Sequence, residues 1–257
     1  MARVDVLGVG VDALTWPELL AAVSAAIATG GPSTVAYANV HVLNVAQRDA
    51  ALRAFLNAAD ICYCDGNGVV LGSRLLGQPL PGRMTGADWI WLLAAAASEA
   101  GWRIHWIGGE PGVTAAAAAA LRARFPALSV STDHGFHARA GVDNDACLAR
   151  LNRARPHIVL VGMGTPIQER WVADNRGRMD APVVWCLGAT ADFVSGRVRR
   201  PGPAWLVEHH EWLSRLIADP RRLWRRYLLG NGRFLLRVAR QRTRAGLRVP
   251  EHTVFSE

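Results

Sequence analysis

The chain has 257 residues, 51% of them apolar, and a formal net charge of +8. That length buries a full core, and that composition excludes disorder as the main state. No run of about 18 apolar residues is free of charge, so no membrane-spanning helix is expected. The N-terminus lacks the long apolar segment of a secretory signal. Cys62, Cys64, Cys147 and Cys186 form no C-x-x-C pair; zinc is unsupported, and the reduced thiols of a cytosolic protein are expected.

Strand-like and helix-like runs alternate along the chain. Val4–Val9 reads as a strand and Trp16–Ala28 as a helix; Thr34–Ala38 reads as a strand and Asp49–Ala59 as a helix. Ile61–Cys64 is a short buried strand, followed by helical Gly68–Leu76 and Ala87–Ala100. Strand Arg103–Ile107 precedes helix Val113–Phe125, and strands Leu128–Ser131 and His157–Val161 flank helical Asn144–Ala154. Pro166–Arg176 is helical, Val183–Leu187 is the last strand, and only helices follow from about Ala204. This order predicts an α/β fold, a parallel sheet with helices on both faces, plus a C-terminal helical appendage. Pro201-Gly202-Pro203 is the natural joint between the two. The expected division is a catalytic core over 1–200, a basic amphipathic appendage over 201–248 and a tail over 249–257.

Sheets of this kind bind ligands outside the carboxyl ends of their strands. The residues there are Asn39, Asp65, Gly108-Gly109, Asp133-His134, Gly162-Met163-Gly164 and Gly188, polar or glycine at almost every position. Gly108-Gly109 with Pro111-Gly112-Val113 opens a helix, where bare backbone and a positive dipole end suit a phosphate. Asp65 at a strand end suits a general base, although a turn or cap aspartate has the same local pattern. In Thr165-Pro166-Ile167-Gln168-Glu169, Thr165 is expected to cap a helix, with Pro166 first in it and Gln168 and Glu169 in its first turn. Neither His134/His137 nor His209/His210 has a third partner at metal-ligand spacing, and the chain reads as lacking an Asp-x-Asp metal-diphosphate signature. No metal and no cofactor are expected.

The positive charge is localised. Between Arg197 and Arg248 stand 14 arginines against Glu208, Glu211 and Asp219, while residues 1–196 carry a net of −1. Leu223, Trp224, Tyr227 and Leu228 recur on one helical face with Arg222, Arg225 and Arg226 beside or opposite it. Arginine flanking tryptophan and leucine is the composition of a helix lying on a membrane surface. A solvated face over an ordinary core helix is the plainer alternative.

Taken in order, these segments resemble the WecG/TagA/CpsF family of bacterial glycosyltransferases. The resemblance runs from about Val4 to Ala239. It is carried by Asn39 with Asn44, Cys64-Asp65-Gly66 with Gly68, Arg83 with Gly86 and Asp88, and Gly108-Gly109 with Pro111-Gly112-Val113. Arg155-Pro156-His157, Gly162-Met163-Gly164, Pro166-Ile167-Gln168-Glu169, Asp192 with Ser195-Gly196, Glu211-Trp212-Leu213, and Pro220-Arg221-Arg222 through Tyr227 continue it. The resemblance implies a Rossmann-like core. It implies inverting, metal-independent transfer of a sugar from a UDP-sugar to a polyprenyl-diphosphate-linked acceptor in cell-surface polysaccharide synthesis. N-acetylmannosamine, its uronic acid and hexoses are the implied donor sugars. Asp65 is the implied base. Asn39, Arg83, Asp88, Gly108, Gly109, Gln168 and Glu169 are implied pocket residues, and Arg215, Arg222 and Arg225 are implied diphosphate ligands. The implied location is cytoplasmic, peripheral at the inner face of the cell membrane. An anionic membrane surface is an expected partner, specific nucleic acid is not, and a homo-oligomer stays open.

Two positions depart from the family pattern. Tyr37 stands where threonine is usual, and Gly188-Ala189-Thr190 replaces a Gly-Val-Gly. A dinucleotide-dependent oxidoreductase on the same fold would need a full glycine fingerprint and a ribose-binding acid; the fingerprint is missing. A nucleic-acid-binding role for the basic tail fits its tryptophans and leucines less well than lipid does.

Overall fold

The computed structural model describes residues 2–198, residue 221 and residues 224–246, without the side chains of Arg225 and Arg226. Arg215, Arg222, the Arg225 side chain and the Pro201-Gly202-Pro203 joint therefore lie outside the described residues.

One sheet holds eight strands: β1 (Arg3–Val6), β2 (Val9–Asp12), β3 (Ser33–Ala38), β4 (Ile61–Cys64), β5 (Arg103–Gly108), β6 (Ser129–Asp133), β7 (Ile158–Gly162) and β8 (Val183–Cys186). Their spatial order is β1-β2-β4-β3-β8-β7-β5-β6. The β1–β2 pair is antiparallel and every other pair is parallel. All residues of β4, β7 and β8 are buried, so both faces of the sheet are covered. The covering helices are α1 (Trp16–Thr29), α2 (Val40–Ala46), α3 (Ala50–Ala58), α4 (Asn67–Leu75), α5 (Gly86–Ala100), α6 (Val113–Arg124), α7 (Val142–Arg153), α8 (Ile167–Asn175) and α9 (Thr190–Val194). A π-helical turn, Arg225–Leu229, leads into α10 (Gly230–Gly246). The α/β architecture and the C-terminal helix agree with expectation.

The single strand expected over Val4–Val9 is instead a hairpin. Leu7 (φ 59) and Gly8 (φ 81) both take positive φ, as a two-residue type I′ turn demands. Leucine disfavours that conformation, so the turn leaves no local signal. It is clamped from outside: the Leu7 N–H donates to Gln241 Oε1 at 2.8 Å, and its carbonyl accepts from Gln47 Nε2 at 2.6 Å. At the other end of the pair, Asp12 is buried and accepts from the Cys62 N–H at 2.7 Å and from Arg3 Nε at 3.0 Å. That tie holds β2 against β4, which otherwise pair in register at Asp12 and Tyr63 alone.

Two more differences are small. Strand β6 runs on to Asp133, because its pairing with β5 extends to Ile107 opposite Asp133. Helices α2 and α9 are too short to show a helical period and are absent from the sequence reading. The four cysteines are buried and free, as expected.

The core beneath β3, β4 and β8 is aromatic. Trp89 stacks on Trp185 with centroids 4.3 Å apart, Trp16 stacks on Trp89 at 5.7 Å, and Tyr63 meets both Trp89 and Trp185 edge-on. Helix α10 joins the same core. Phe234 and Val238 are buried, and the Phe234 ring seats on Gly72 of α4, where an added Cβ would lie 2.7 Å from Cζ. Only glycine at position 72 admits that ring. Phe234→Ala is expected to remove about 3–5 kcal/mol from the docking of α10. Hydrogen exchange would show it as faster exchange of the amides of residues 234–244 than of β7. Unchanged protection in α10 would contradict this.

Candidate active site

Strands β3 and β4 run parallel with Ala38 opposite Cys64, so Asn39 and Asp65 emerge side by side at their carboxyl ends. Two backbone features keep them close. The Asp65 N–H donates to the Ala38 carbonyl at 2.9 Å. Gly68, in the first turn of α4, faces Val40, where an added Cβ would lie 2.5 Å from Cγ2. Asn39 then does two jobs: its Oδ1 accepts from the Val42 N–H at 3.0 Å, capping α2, and its Nδ2 donates to Asp65 Oδ2 at 3.1 Å. The cap fixes the amide's orientation, and the amide fixes the carboxylate.

Arg83 and Asp88 sit beside the same strand end. The Met84 N–H donates to the Cys64 carbonyl at 2.8 Å, which holds the segment against β4. Arg83 Nη1 donates to Thr85 Oγ1 at 2.9 Å, and Nη2 lies 3.5 Å from Asp88 Oδ2. The guanidinium is thus largely buried yet charged, a fixed positive group at the sheet edge.

A second polar cluster lies after β7 and β8. Glu169 is 1% exposed and Gln168 is 0% exposed. Glu169 Oε1 accepts from Thr165 Oγ1 at 2.7 Å and from Gln168 Nε2 at 2.8 Å. Gln168 Oε1 accepts from the Gly188 N–H at 3.1 Å. Tyr37, two residues before Asn39 and pointing to the same side of β3, brings its hydroxyl 3.3 Å from Thr165 Oγ1 and accepts from Gln168 Nε2 at 3.4 Å. An added Cβ on Gly188 would lie 2.8 Å from that hydroxyl. The phenol therefore fills the space above Gly188 and links the Asn39–Asp65 strand to the Gln168–Glu169 helix. Burial, reinforced by the Glu169 and Asp65 charges, raises the Tyr37 phenol far above its usual range, so it stays neutral.

The expected roles in this segment need correction. Thr165 does not cap α8; its hydroxyl is spent on the Glu169 carboxylate. Pro166 occupies the cap position, after a cis peptide bond, and not the first helical one. Gln168 and Glu169 do fall in the first turn, but Glu169 is buried instead of paired with a surface dipole. The other departure, Thr190, packs against Gly86, whose added Cβ would lie 2.3 Å from its Oγ1, and donates to the Leu187 carbonyl at 2.9 Å.

Gly108 and Gly109 lie farther along the edge. Gly108 takes φ 149, and an added Cβ would lie 2.3 Å from the Gly162 carbonyl oxygen. The Gly109 N–H donates to that same oxygen at 3.1 Å. The N-cap residues of α6 and α4 are Gly112 and Gly66, which carry no capping side chain, and both helix starts lie at the same edge as Asp65. Among the described residues no group of three or more His, Cys, Asp or Glu is placed to hold a metal. The expectation that the chain lacks an Asp-x-Asp pair needs correction, because Asp143-Asn144-Asp145 has that spelling. There Asn144 is buried, bonded to Asn175 and Trp171, and Asp145 pairs with Arg178 at 2.6 Å.

The structure thus brings together Asn39 with Asp65, Arg83 with Asp88, and Gln168 with Glu169, with the two glycines along the same edge. Thr165, the hub of the second cluster, is a site residue that sequence reading assigned only to a cap. Its signal is the i to i+4 spacing to Glu169, which suits a hydroxyl–carboxylate bond as well as a cap.

Burial raises the Glu169 carboxyl above its ordinary 4.5, against the opposing hydrogen bonds from Gln168 and Thr165. A folded-state value above the unfolded one makes the neutral form's contribution complete below about pH 4.5 and lost as pH rises through the raised value. Glu169→Gln does not titrate. Wild type is therefore expected to lose stability relative to Glu169→Gln as pH rises above about 4.5, read as a widening gap in urea midpoints. A gap independent of pH would contradict this.

Comparison with known proteins agrees with the geometry. The glycosyl transferase WecG/TagA/CpsF family pattern matches residues 4–248. An N-acetylglucosaminyldiphosphoundecaprenol N-acetyl-beta-D-mannosaminyltransferase of Staphylococcus aureus strain NCTC 8325 / PS 47 is 26% identical over 226 residues, 87% of this chain and 88% of its own length. Proteins of the same name from strains COL and MRSA252 match to the same extent. The chain is a glycosyltransferase and belongs to the WecG/TagA/CpsF family.

Proposed function

We propose that this enzyme transfers a sugar from a UDP-linked donor to a polyprenyl-diphosphate-linked sugar at a membrane surface. N-acetylmannosamine is the donor sugar favoured by the names of the relatives. The observation that carries the reading is the Asn39–Asp65 hydrogen bond at the carboxyl ends of adjacent parallel strands.

Asp65 acts as general base. Its carboxylate takes the proton of the acceptor hydroxyl as that oxygen attacks the anomeric carbon. The carbon–oxygen bond to the diphosphate breaks, and UDP leaves with the electron pair, so the anomeric centre inverts. Charge on the departing diphosphate is met by groups already in place, Arg83 and the positive dipole ends of α4 and α6, which need no reorganisation as the bond breaks. Tyr37, Gln168 and Thr165 shape the pocket between these parts. The polyprenyl tail stays in the bilayer. Among the described residues no helix is long and apolar enough to cross a membrane. Trp224, Leu228, Leu229 and Leu236 are exposed on the last segment, which suits attachment to the surface.

Asp65→Asn keeps the shape and the hydrogen-bonding of the site but removes the base. It is expected to lower turnover by about 10²–10⁴-fold, with UDP binding and thermal unfolding close to wild type. Activity within a few-fold of wild type would assign the base elsewhere. Transfer is also expected to persist in EDTA. Loss of transfer in EDTA, restored by Mg²⁺ or Mn²⁺, would overturn metal independence and direct attention to Asp143 and Asp145.

A further inference from the structure

A groove of about 320 Å³ runs between α2 and α10, lined by His41, Asn44, Arg48, Asp49, Arg233 and Arg237 among others. Three guanidiniums meet there with little to oppose them. Asp49 is already committed: one carboxylate oxygen caps α3 through the Leu52 N–H at 3.0 Å, and the other pairs with Arg170 at 2.6 Å. Among the described residues Arg237 finds only a neutral partner, Asn44 Oδ1 at 2.5 Å, while Asn44 Nδ2 holds the Gly230 carbonyl at 2.8 Å. Arg48 and Arg233 are exposed and make no ion pair with an acid among the described residues. Partial burial and the neighbouring charges of Arg48, Arg233 and Arg240 push the Arg237 guanidinium below its ordinary value. Three like charges gathered around one hollow raise the energy of the empty groove, and an anion relieves it.

The kind of anion follows from the donors. Guanidiniums offer forked N–H pairs that match phosphate oxygens, and among the described residues the lining contains no Trp, Tyr or Phe on which a base would stack. Two features point to a phosphate borne by a membrane. The same helix and the turn before it expose Leu228, Leu229, Leu235 and Leu236. The groove also starts at His41, two residues beyond Asn39 on α2, about 3 Å along the helix axis from the cap that orients Asp65.

We propose that this groove binds a phosphate group presented at a membrane surface. The chemistry is shared by the headgroup of an anionic phospholipid and the diphosphate of a lipid-linked acceptor. The acceptor alternative rests on the function proposed above; the phosphate site itself does not.

The test uses the full chain and the double variant R48Q/R233Q, chosen because both side chains are exposed and the Arg237–Asn44 contact is left intact. Binding is measured by flotation on phosphatidylcholine vesicles, on vesicles with added phosphatidylglycerol, and on vesicles with added undecaprenyl diphosphate. The double variant is expected to bind one or both of the anionic vesicles roughly 10–30-fold more weakly than wild type, with plain phosphatidylcholine unchanged. Loss on phosphatidylglycerol alone identifies a headgroup site, and loss on undecaprenyl diphosphate alone identifies an acceptor site. Arg153→Gln, an exposed arginine on α7, is expected to bind like wild type, which separates a site from bulk charge. Asp65→Asn is expected to bind like wild type too, so failure of the catalytic reading would leave this result standing. The single variants R48Q and R233Q each give a smaller loss, which keeps the test decisive if the double variant does not fold. Equal binding by wild type and the groove variants, or an equal loss in Arg153→Gln, would overturn the proposal.

Discussion

Everything at the candidate site depends on one amide. Asn39 closes the first turn of α2 with its oxygen and holds the Asp65 carboxylate with its nitrogen. An aspartate or serine would cap the helix as well, but neither would present an N–H donor to a carboxylate next door. The requirement reaches outward from there. Asn39 and Asp65 meet because β3 and β4 are parallel neighbours in register, and because Gly68 lets α4 press against Val40. The register of β4 rests in turn on Asp12 and Arg3 at the sheet edge.

A second constraint is the close approach of strand ends. Gly108, Gly162 and Gly188 pack carbonyl against Cα across three adjacent strands, where any side chain would collide with backbone or with Tyr37. Tyr37 uses the room that Gly188 leaves. Its neutral phenol joins Thr165 and Gln168 in a buried network that ends on Glu169. Such a network is costly unless its groups are satisfied. Burial is the first cause of the raised Glu169 carboxyl, whose Oε2 has no hydrogen-bond partner among the described residues.

The fold was largely legible in the sequence because parallel strands buried on both faces read as short apolar runs, as Ile61–Cys64 and Val183–Cys186 do. The Leu7-Gly8 turn was not, because its positive φ is imposed by Gln241 and Gln47, which are remote in the chain. Helix α2 was hidden for a different reason: seven residues with buried Val42, Leu43 and Ala46 show no period distinct from a strand. At the site, Asn39, Asp65, Arg83 and Gln168 could be named from motif and strand-end position. Their partners could not, since the Tyr37–Gln168 contact spans 131 residues. The α2–α10 groove was equally invisible, because Arg48 and Arg233 converge only once Phe234 seats on Gly72.

The last helix is packed onto the core through Phe234, Val238 and Gln241. The central claim is that Asn39 holds Asp65 ready to take a proton from the acceptor. It is tested most directly by a structure of the full chain with UDP and a short lipid-diphosphate-sugar acceptor analogue. The account predicts the acceptor's nucleophilic hydroxyl about 2.6–3.2 Å from an Asp65 carboxylate oxygen, with Asn39 Nδ2 still bonded to the other. An acceptor hydroxyl resting on a different carboxylate, with Asp65 turned away, would contradict it.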